Sequence, residues 1–194
     1  MGRIVVSENV SVDGVVQDPT GEEGFDRGGW FLRVGEEDRR AWAEMEHREA
    51  RETAALLLGR TSYSWFAARW PARTGEWADR LNGLPKYVVS TTLEEPEWAG
   101  TTVLTGDAAQ AVAGLRRSVD GDVVVHASRQ LVRTLLEHDL VDELRLTVFP
   151  VLLGAGERLF GAAADRFPLH LLDVETVGAS LVRLTYRPVR SGNG

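Results

Sequence analysis

The stretch that most constrains the fold is Gly121–Phe160, GDVVVHASRQLVRTLLEHDLVDELRLTVFPVLLGAGERLF. Asp122–His126 is a short apolar run of the kind a strand buried on both faces shows. It stops at the small residues Ala127-Ser128. Leu131, Val132, Leu135 and Leu136 then recur at helical spacing, predicting a helix over Ser128–His138 with those four inward. A second strand, Glu143–Leu152, leads into the glycine loop Gly154-Ala155-Gly156. The Ala127-Ser128 turn lies where a strand ends and a helix begins. Backbone N–H groups left free there make a ready site for a phosphate or pyrophosphate.

The rest of the chain repeats this alternation. Arg3–Val10 reads as a first strand, followed by the turn Ser11–Gly14 and a short apolar piece at Val15-Val16. Gln17–Gly29 is rich in Gly, Asp and Glu and reads as a loop long enough to be functional. Glu36–Thr53 is helical, Ala54–Leu58 is a buried strand ending at Gly59, and Ser62–Arg69 is a short helix stopped by Pro71. Trp77–Leu81 reads as another short helix. Lys86–Ser90 and Thr101–Leu104 are strands. Asp107–Val119 is a helix with Asp107 as its N-cap. Leu169–Val177 and Ser180–Arg187 alternate and form a closing hairpin that turns at Gly178-Ala179. The expectation is one α/β domain over 1–190, three-layered, with a mostly parallel central sheet and antiparallel C-terminal edge strands. The tail 191–194 is expected to be disordered.

Composition narrows the chemistry. The 194 residues include no Cys and four His, which excludes a disulfide scaffold, a thiolate zinc site and a cysteine nucleophile. No metal site is expected, and a bound organic cofactor explains the layout better than a self-sufficient set of catalytic side chains. A net charge of −7 argues against a nucleic-acid footprint. No stretch approaches the ~20 apolar residues of a membrane span, and the N-terminus lacks the apolar run of a signal peptide. A cytoplasmic protein is expected.

Several turns are candidate ligand contacts, each with a plainer alternative. In Leu57–Tyr63, Gly59 lets a ligand approach the backbone, Arg60 offers a planar cation and Thr61 or Ser62 caps the next helix. The same residues also suit an ordinary strand-to-helix turn. Ser90-Thr91-Thr92 could hold an anion or cap a strand end. His126-Ala127-Ser128-Arg129 could cradle a pyrophosphate, or Ser128 could be a simple N-cap. The loop Gly154–Gly156 lacks a third glycine and reads as a plain turn. Asp13 is a possible acid or pocket anchor, although Asp-Gly is first a turn signal. Glu49 lies seven residues after Trp42 and four after Met45, on their face of a helix, so it either reaches the rim or points into a pocket. Trp30, Trp42, Trp65 and Trp70 could line the pocket of a flat aromatic substrate, with core packing as the alternative.

Taken in order, these segments resemble the dihydrofolate reductase-like fold, and more narrowly the C-terminal reductase domain of bacterial riboflavin biosynthesis. The resemblance spans about Arg3 to Pro188. It rests on SVDG at Ser11–Gly14, LLLGRTSY at Leu56–Tyr63, KYVVS at Lys86–Ser90 and the long stretch His126–Phe160. It implies an NADPH-binding reductase, with NADH left open. The dinucleotide would lie across the C-terminal ends of the central strands. Gly59, Arg60 and Ser62 would meet the adenosine-side phosphates, and Ser90 and Thr91 the 2′-phosphate. His126, Ala127, Ser128, Arg129 and Leu131 would surround the pyrophosphate. The backbone at Gly14 and Val15 would flank the nicotinamide, with the Gln17–Gly29 loop as a lid.

The chain departs from the resembled pattern at Ala127, where a Gly is usual, and at Thr91, where a basic residue is frequent. Folate enzymes keep a carboxylate on their first helix, which makes Glu49 the nearest analogue and Asp13 the other candidate. The implied reaction is hydride transfer to a small planar or sugar-linked heterocycle. A non-catalytic nucleotide- or heterocycle-binding protein on the same fold is the rival reading. The resemblance and the apolar segment LTVFPVLL also suggest a homodimer.

Overall fold

Ile4, Val5 and Val6 are all fully shielded from solvent, as are Val123, Val124 and Val125. Strands that lose both faces to solvent must lie mid-sheet with a layer on either side. The computed structural model, which describes residues 1–160 and 167–189, places them there. Strand β1 (Arg3–Ser11) pairs in parallel with β5 (Asp122–His126) on one side and β6 (Glu143–Phe149) on the other. Beyond β5 lie β2 (Thr53–Gly59), β3 (Lys86–Val89) and β4 (Thr101–Leu104), all parallel. Beyond β6 the hairpin of β7 (Leu169–Val177) and β8 (Leu181–Pro188) closes the sheet antiparallel. The order is β4-β3-β2-β5-β1-β6-β8-β7. The mixed sheet with its antiparallel edge is the expected one.

Helices cover both faces. On one, α4 (Ala108–Ser118) and α5 (Arg129–Glu137) bury Val112, Leu115, Val132 and Leu135 against Ile4, Val6, Val123 and Val125. On the other lie α1 (Glu36–Glu52), α2 (Arg60–Ala67) and α3 (Glu76–Gly83). Ala50, Tyr63 and Leu81 from these helices meet Leu56, Leu58 and Val88, while Met45 meets Phe149 and Leu181. The chain runs from β1 out to β4, then returns to insert β5 between β2 and β1. That reversal leaves a crevice at the C-terminal strand ends, the usual ligand position in open α/β sheets.

Helix α2 begins and ends two residues earlier than expected, and two further differences have local causes. Strand β6 stops at Phe149 rather than Leu152. Pro150 has no N–H to continue the ladder, and the Val151 N–H turns back to the Phe149 carbonyl at 2.8 Å. A 3₁₀ turn at Trp30–Arg33 went unanticipated; the Trp30 indole N–H reaches the Gln17 carbonyl at 2.9 Å and sets the end of the preceding loop. Half of the segment LTVFPVLL, expected to support a homodimer, is β6 and lies inside the sheet between β1 and β8, while its Leu152 is 74% exposed. Further exposed apolar residues, Leu171, Leu172 and Val174, lie on edge strand β7. Among the described residues no helix is long and apolar enough to cross a membrane. The expected tail at 191–194 lies outside the described residues.

One charged residue is part of the core. The Lys86 side chain is fully buried and its ammonium donates to the carbonyls of Asn82 at 2.6 Å, Leu84 at 2.7 Å and Ala99 at 3.0 Å, with the Trp98 ring at 4.6 Å. It joins the end of α3 to the start of β3 and the approach to β4. Lys86→Met keeps the stem but strands three carbonyls. It is expected to lower stability by about 2–4 kcal/mol, read as a lower urea midpoint at unchanged slope.

Candidate active site

The crevice is a cleft of about 1040 Å³. This is at the upper end of the ~300–1,000 Å³ range of small-molecule sites. It has two chemically different walls and a loop across its mouth.

The first wall is backbone-rich. Gly59 and Arg60 after β2, Ser90 and Thr91 after β3, and Ala127–Leu131 after β5 all line it. Ala127 and Ser128 are both left-handed, at φ 51° and 67°. Two successive residues in that region swing the chain sharply into α5. Ser128 does not cap the helix. Its hydroxyl donates to the His126 carbonyl at 3.0 Å and accepts the Gly59 N–H at 2.9 Å, tying the two strand ends together. The first-turn N–H groups of α5 are thus left for a ligand. Gly59 is close to Ser128: a Cβ there would sit 3.6 Å from the Ser128 Cβ. Arg60 bonds Ser64 Oγ at 2.6 Å and has no carboxylate partner among the described residues. Ser90 Oγ is engaged by the N–H groups of Thr92 and Leu93, whereas Thr91 is exposed.

The second wall is aromatic and acidic. Phe31 and Trp42 (ring centroids 4.6 Å apart), Trp42 and Trp77 (5.7 Å), and Trp77 and Trp70 (5.2 Å) form a continuous row of rings. Glu46 on α1 lines the same cleft at 8% exposure, with no hydrogen bond or ion pair among the described residues. Its carboxyl is pushed above the ordinary carboxylate range, first by burial and then by the charge of Glu49. Glu8 on β1 also lines the cleft; burial raises it to about 8, against a bond from the Asn9 N–H, and its Oε2 is unpartnered. Sequence reasoning missed both residues. Glu46 stands four residues after Trp42 and four before Ala50, a spacing that marks it as readily as Glu49 was marked.

The two carboxylates expected to do chemistry are placed elsewhere. Glu49 lies beneath α1 and does not line the cleft. It accepts from Ser7 Oγ at 2.8 Å, Arg145 at 2.6 Å and Arg183 at 3.0 Å. Burial pushes its pKa up, but Arg183, His126 and Arg145 outweigh this and hold it down. Asp13 faces the loop after β6. It accepts from the N–H groups of Leu153 at 3.1 Å and Gly154 at 2.8 Å and from Ser11 Oγ at 2.7 Å. The Leu153 bond, with the Ser11 bond next, lowers its pKa to about 2, so it has no proton to give near neutrality. Gly14 and Val15 do not line the cleft, although Val16 and Gln17 do. The other expected contacts all line it: Gly59, Arg60, Ser62, Ser90, Thr91, His126, Ala127, Ser128, Arg129 and Leu131.

The 17–29 loop lines the cleft through Gln17–Thr20, Glu22 and Glu23 and is held in an ordered form. Asp18 accepts from the N–H groups of Glu23 at 3.0 Å and Phe25 at 3.1 Å, and its carbonyl accepts from Gly29 at 3.0 Å. Gly28 is required, since a Cβ there would meet the Asp18 carboxylate at 2.4 Å. Glu22 pairs with Arg69 at 3.0 Å, linking the loop to the segment after α2.

The comparisons agree with this geometry. The RibD C-terminal domain family matches residues 3–183. A Bacillus subtilis (strain 168) protein, YyaP, itself described as uncharacterized, is 25% identical over 136 residues, covering 68% of this chain and 72% of that one. A crystal structure from Shewanella sp. PV-4, of a protein whose name links it to riboflavin biosynthesis, superposes with a TM-score of 0.70 at 21% identity, covering 97% and 99% of the two chains. Dihydrofolate reductase from Enterococcus faecalis, in complex with NADP(H), superposes with a TM-score of 0.56 at 12% identity and 96% coverage of each chain. The fold is dihydrofolate reductase-like, and the chain belongs to the RibD C-terminal domain family, a reductase family.

The two helix-borne carboxyls should separate in stability. Glu49→Gln removes the counter-charge of the buried Arg183 guanidinium and one of three carboxylates paired with Arg145, and is expected to cost about 3–5 kcal/mol. Glu46→Gln removes a buried carboxyl whose folded pKa is raised. In that case the folded state binds more protons than the unfolded one between about pH 4.5 and about pH 8, and wild-type stability falls as pH rises through that window. The Glu46→Gln protein should match wild type near pH 4 and melt higher at pH 7. A Glu46→Gln melting point well below wild type at pH 7 would contradict the unpaired state of this group.

Proposed function

We propose that this chain is an NAD(P)H-dependent reductase acting on a small heterocyclic substrate, with NADPH preferred. The observation that carries this reading is the juxtaposition of the two walls in one cleft. Free N–H groups at the start of α5 adjoin the Gly59 turn, and a buried unpartnered carboxyl, Glu46, faces the same space.

The residues fit a dinucleotide. The left-handed Ala127-Ser128 pair and the first turn of α5 would hold the pyrophosphate. Arg60, with no carboxylate partner among the described residues, would meet the adenosine-side phosphates, and Ser90 and Thr91 the 2′-phosphate. When bound, the reduced nicotinamide supplies hydride. Glu46 then has the complementary role: it holds a proton at its carboxyl for the substrate nitrogen or oxygen as the adjacent carbon is reduced. One hydride to carbon and one proton to the heteroatom complete the reduction. The aromatic row stacks a flat substrate, and the Asp18-organised loop keeps bulk water from the reacting atoms.

A non-catalytic nucleotide- or heterocycle-binding protein on the same fold is the second reading. Arg129 at the start of α5 is ion-paired with Glu157 from the loop after β6, which weakens a pyrophosphate site there under either reading. We also propose a homodimer through β7, whose Leu171, Leu172 and Val174 lie exposed along a sheet edge. Light scattering should give twice the 21.4 kDa chain mass, and Leu171→Asp should return the monomer.

Titration with NADPH and NADH, followed by quenching of Trp fluorescence, tests the cofactor reading. Saturable NADPH binding is expected, weaker for NADH. Arg60→Ala should weaken NADPH about tenfold, the order expected for one lost charge-assisted phosphate contact. Ala127→Gly removes a methyl group from a left-handed residue. It should raise stability by about 0.5–1 kcal/mol and tighten NADPH. Absence of binding to either nucleotide by folded protein would move the weight to the second reading.

A further inference from the structure

One of the two guanidiniums on the backbone-rich lining of the cleft is occupied by a charge of the protein's own. Ala127 and Ser128 turn the chain into α5, and the N–H groups of Arg129, Gln130 and Leu131 precede the first bond of the helix, from Val132 to the Ser128 carbonyl at 3.0 Å. Arg129 also carries a guanidinium. Its Nη2 is ion-paired with Glu157 Oε2, and both residues line the cleft. Arg60, on the same lining, has no carboxylate partner among the described residues.

Glu157 comes from the glycine loop after β6 and is held by its backbone. Its N–H donates to Gln17 Oε1 at 3.0 Å, and its carbonyl accepts from the Val16 N–H at 2.9 Å. The next two residues are tied down as well. Arg158 Nε donates to the Asp13 carbonyl at 2.9 Å, and the Leu159 N–H to the Gly14 carbonyl at 3.1 Å. Gly156 before it, at φ 108°, has no room for a side chain: a Cβ would sit 2.9 Å from atoms of both Phe25 and Val15. The main chain of Glu157 is thus fixed while its side chain can turn, since the two side chains of the pair are 33% and 51% exposed.

A carboxylate tethered in this way keeps a high effective concentration beside Arg129 and competes with anions from solution. The competition is losable, because an exposed ion pair contributes little. Among the described residues the Glu157 carboxylate meets Arg129 alone. A diphosphate has more to gain, as it can accept from Arg129 and from the helix-start N–H groups together.

We infer that Glu157 is a built-in competitor at the start of α5: its carboxylate holds Arg129 until a diphosphate group displaces it. The inference rests on the cofactor reading for the identity of the natural occupant, but not for the exchange. Affinity at this position is thereby set below what its donors allow.

The test titrates inorganic pyrophosphate and, separately, NADPH by calorimetry at fixed ionic strength. The proteins are the full chain, Glu157→Gln, Arg129→Gln and the double variant. Glu157→Gln keeps the length of the side chain and the backbone bonds and removes the competing charge. It should tighten pyrophosphate about twofold to fivefold, the scale of one exposed ion pair. Arg129→Gln should weaken pyrophosphate more in the Glu157→Gln background than in wild type, and Glu157→Gln should change little once Arg129 is gone. Circular dichroism and melting establish that each variant is folded. Equal tightening with and without Arg129 would mean general repulsion rather than competition and would overturn the inference. Unchanged pyrophosphate affinity in Glu157→Gln would overturn it too, as would absence of pyrophosphate binding by all four proteins. NADPH binding of equal strength in all four would sink this inference and leave the reductase reading standing. Pyrophosphate binding with the expected dependence on Glu157 and Arg129, but no NADPH binding, would sink the reductase reading and leave this one.

Discussion

Glu49 sits beneath α1 between Arg145 of β6 and Arg183 of β8, with the Ser7 hydroxyl of β1 completing its shell. Three strands of the sheet are thereby joined to one helix through a single buried carboxylate. The arrangement fixes the height and rotation of α1 on the sheet, because a displaced helix would strand the buried Arg183 guanidinium and leave Arg145 with only Glu143 and Asp122. Glu46 is one turn away on the same helix. Its position in the cleft follows from where Glu49 is held, and so does that of Trp42 one turn further, whose indole donates to the Asn9 side chain at 3.0 Å.

This dependence also explains which parts of the site could be read from sequence. The strand at Asp122–His126 and the helix after it were legible because apolar residues at two different periods leave little choice. The β2 strand was legible too, as an unbroken apolar run ending in Gly59. The choice between Glu46 and Glu49 was not. Both lie on the inward face of a single helix, and only Glu49 receives guanidiniums. Those come from Arg145 and Arg183, remote in the chain, and no local pattern announces such a pairing. Asp13 was misjudged for a similar reason. A turn aspartate is visible, but its acceptance of the Leu153 and Gly154 N–H groups depends on a loop from the far side of the fold.

The turn after β5 shows a second kind of dependence. Ser128 looks like a helix N-cap by composition, yet its hydroxyl spans to Gly59 instead. That bond holds the ends of β2 and β5 together, and these are the two strand ends on which the backbone wall is built. With Ala127 and Ser128 left-handed in succession, the turn stores backbone strain of the kind that persists when surrounding contacts over-determine it. A side chain that might have satisfied the helix start is used to fix the cleft, and the helix start is left open.

The lining of the cleft bears on how the proposed dinucleotide is compatible with an acidic chain. The net charge of −7 opposes a dinucleotide at long range, but beyond roughly 8 Å that repulsion is screened at physiological salt. What acts inside the cleft is local: helix-start N–H groups and Arg60 on one part of its lining, Glu8 and Glu46 on another. On the proposed reading, a phosphate is favoured where the N–H groups and Arg60 meet it and disfavoured beside the two carboxyls.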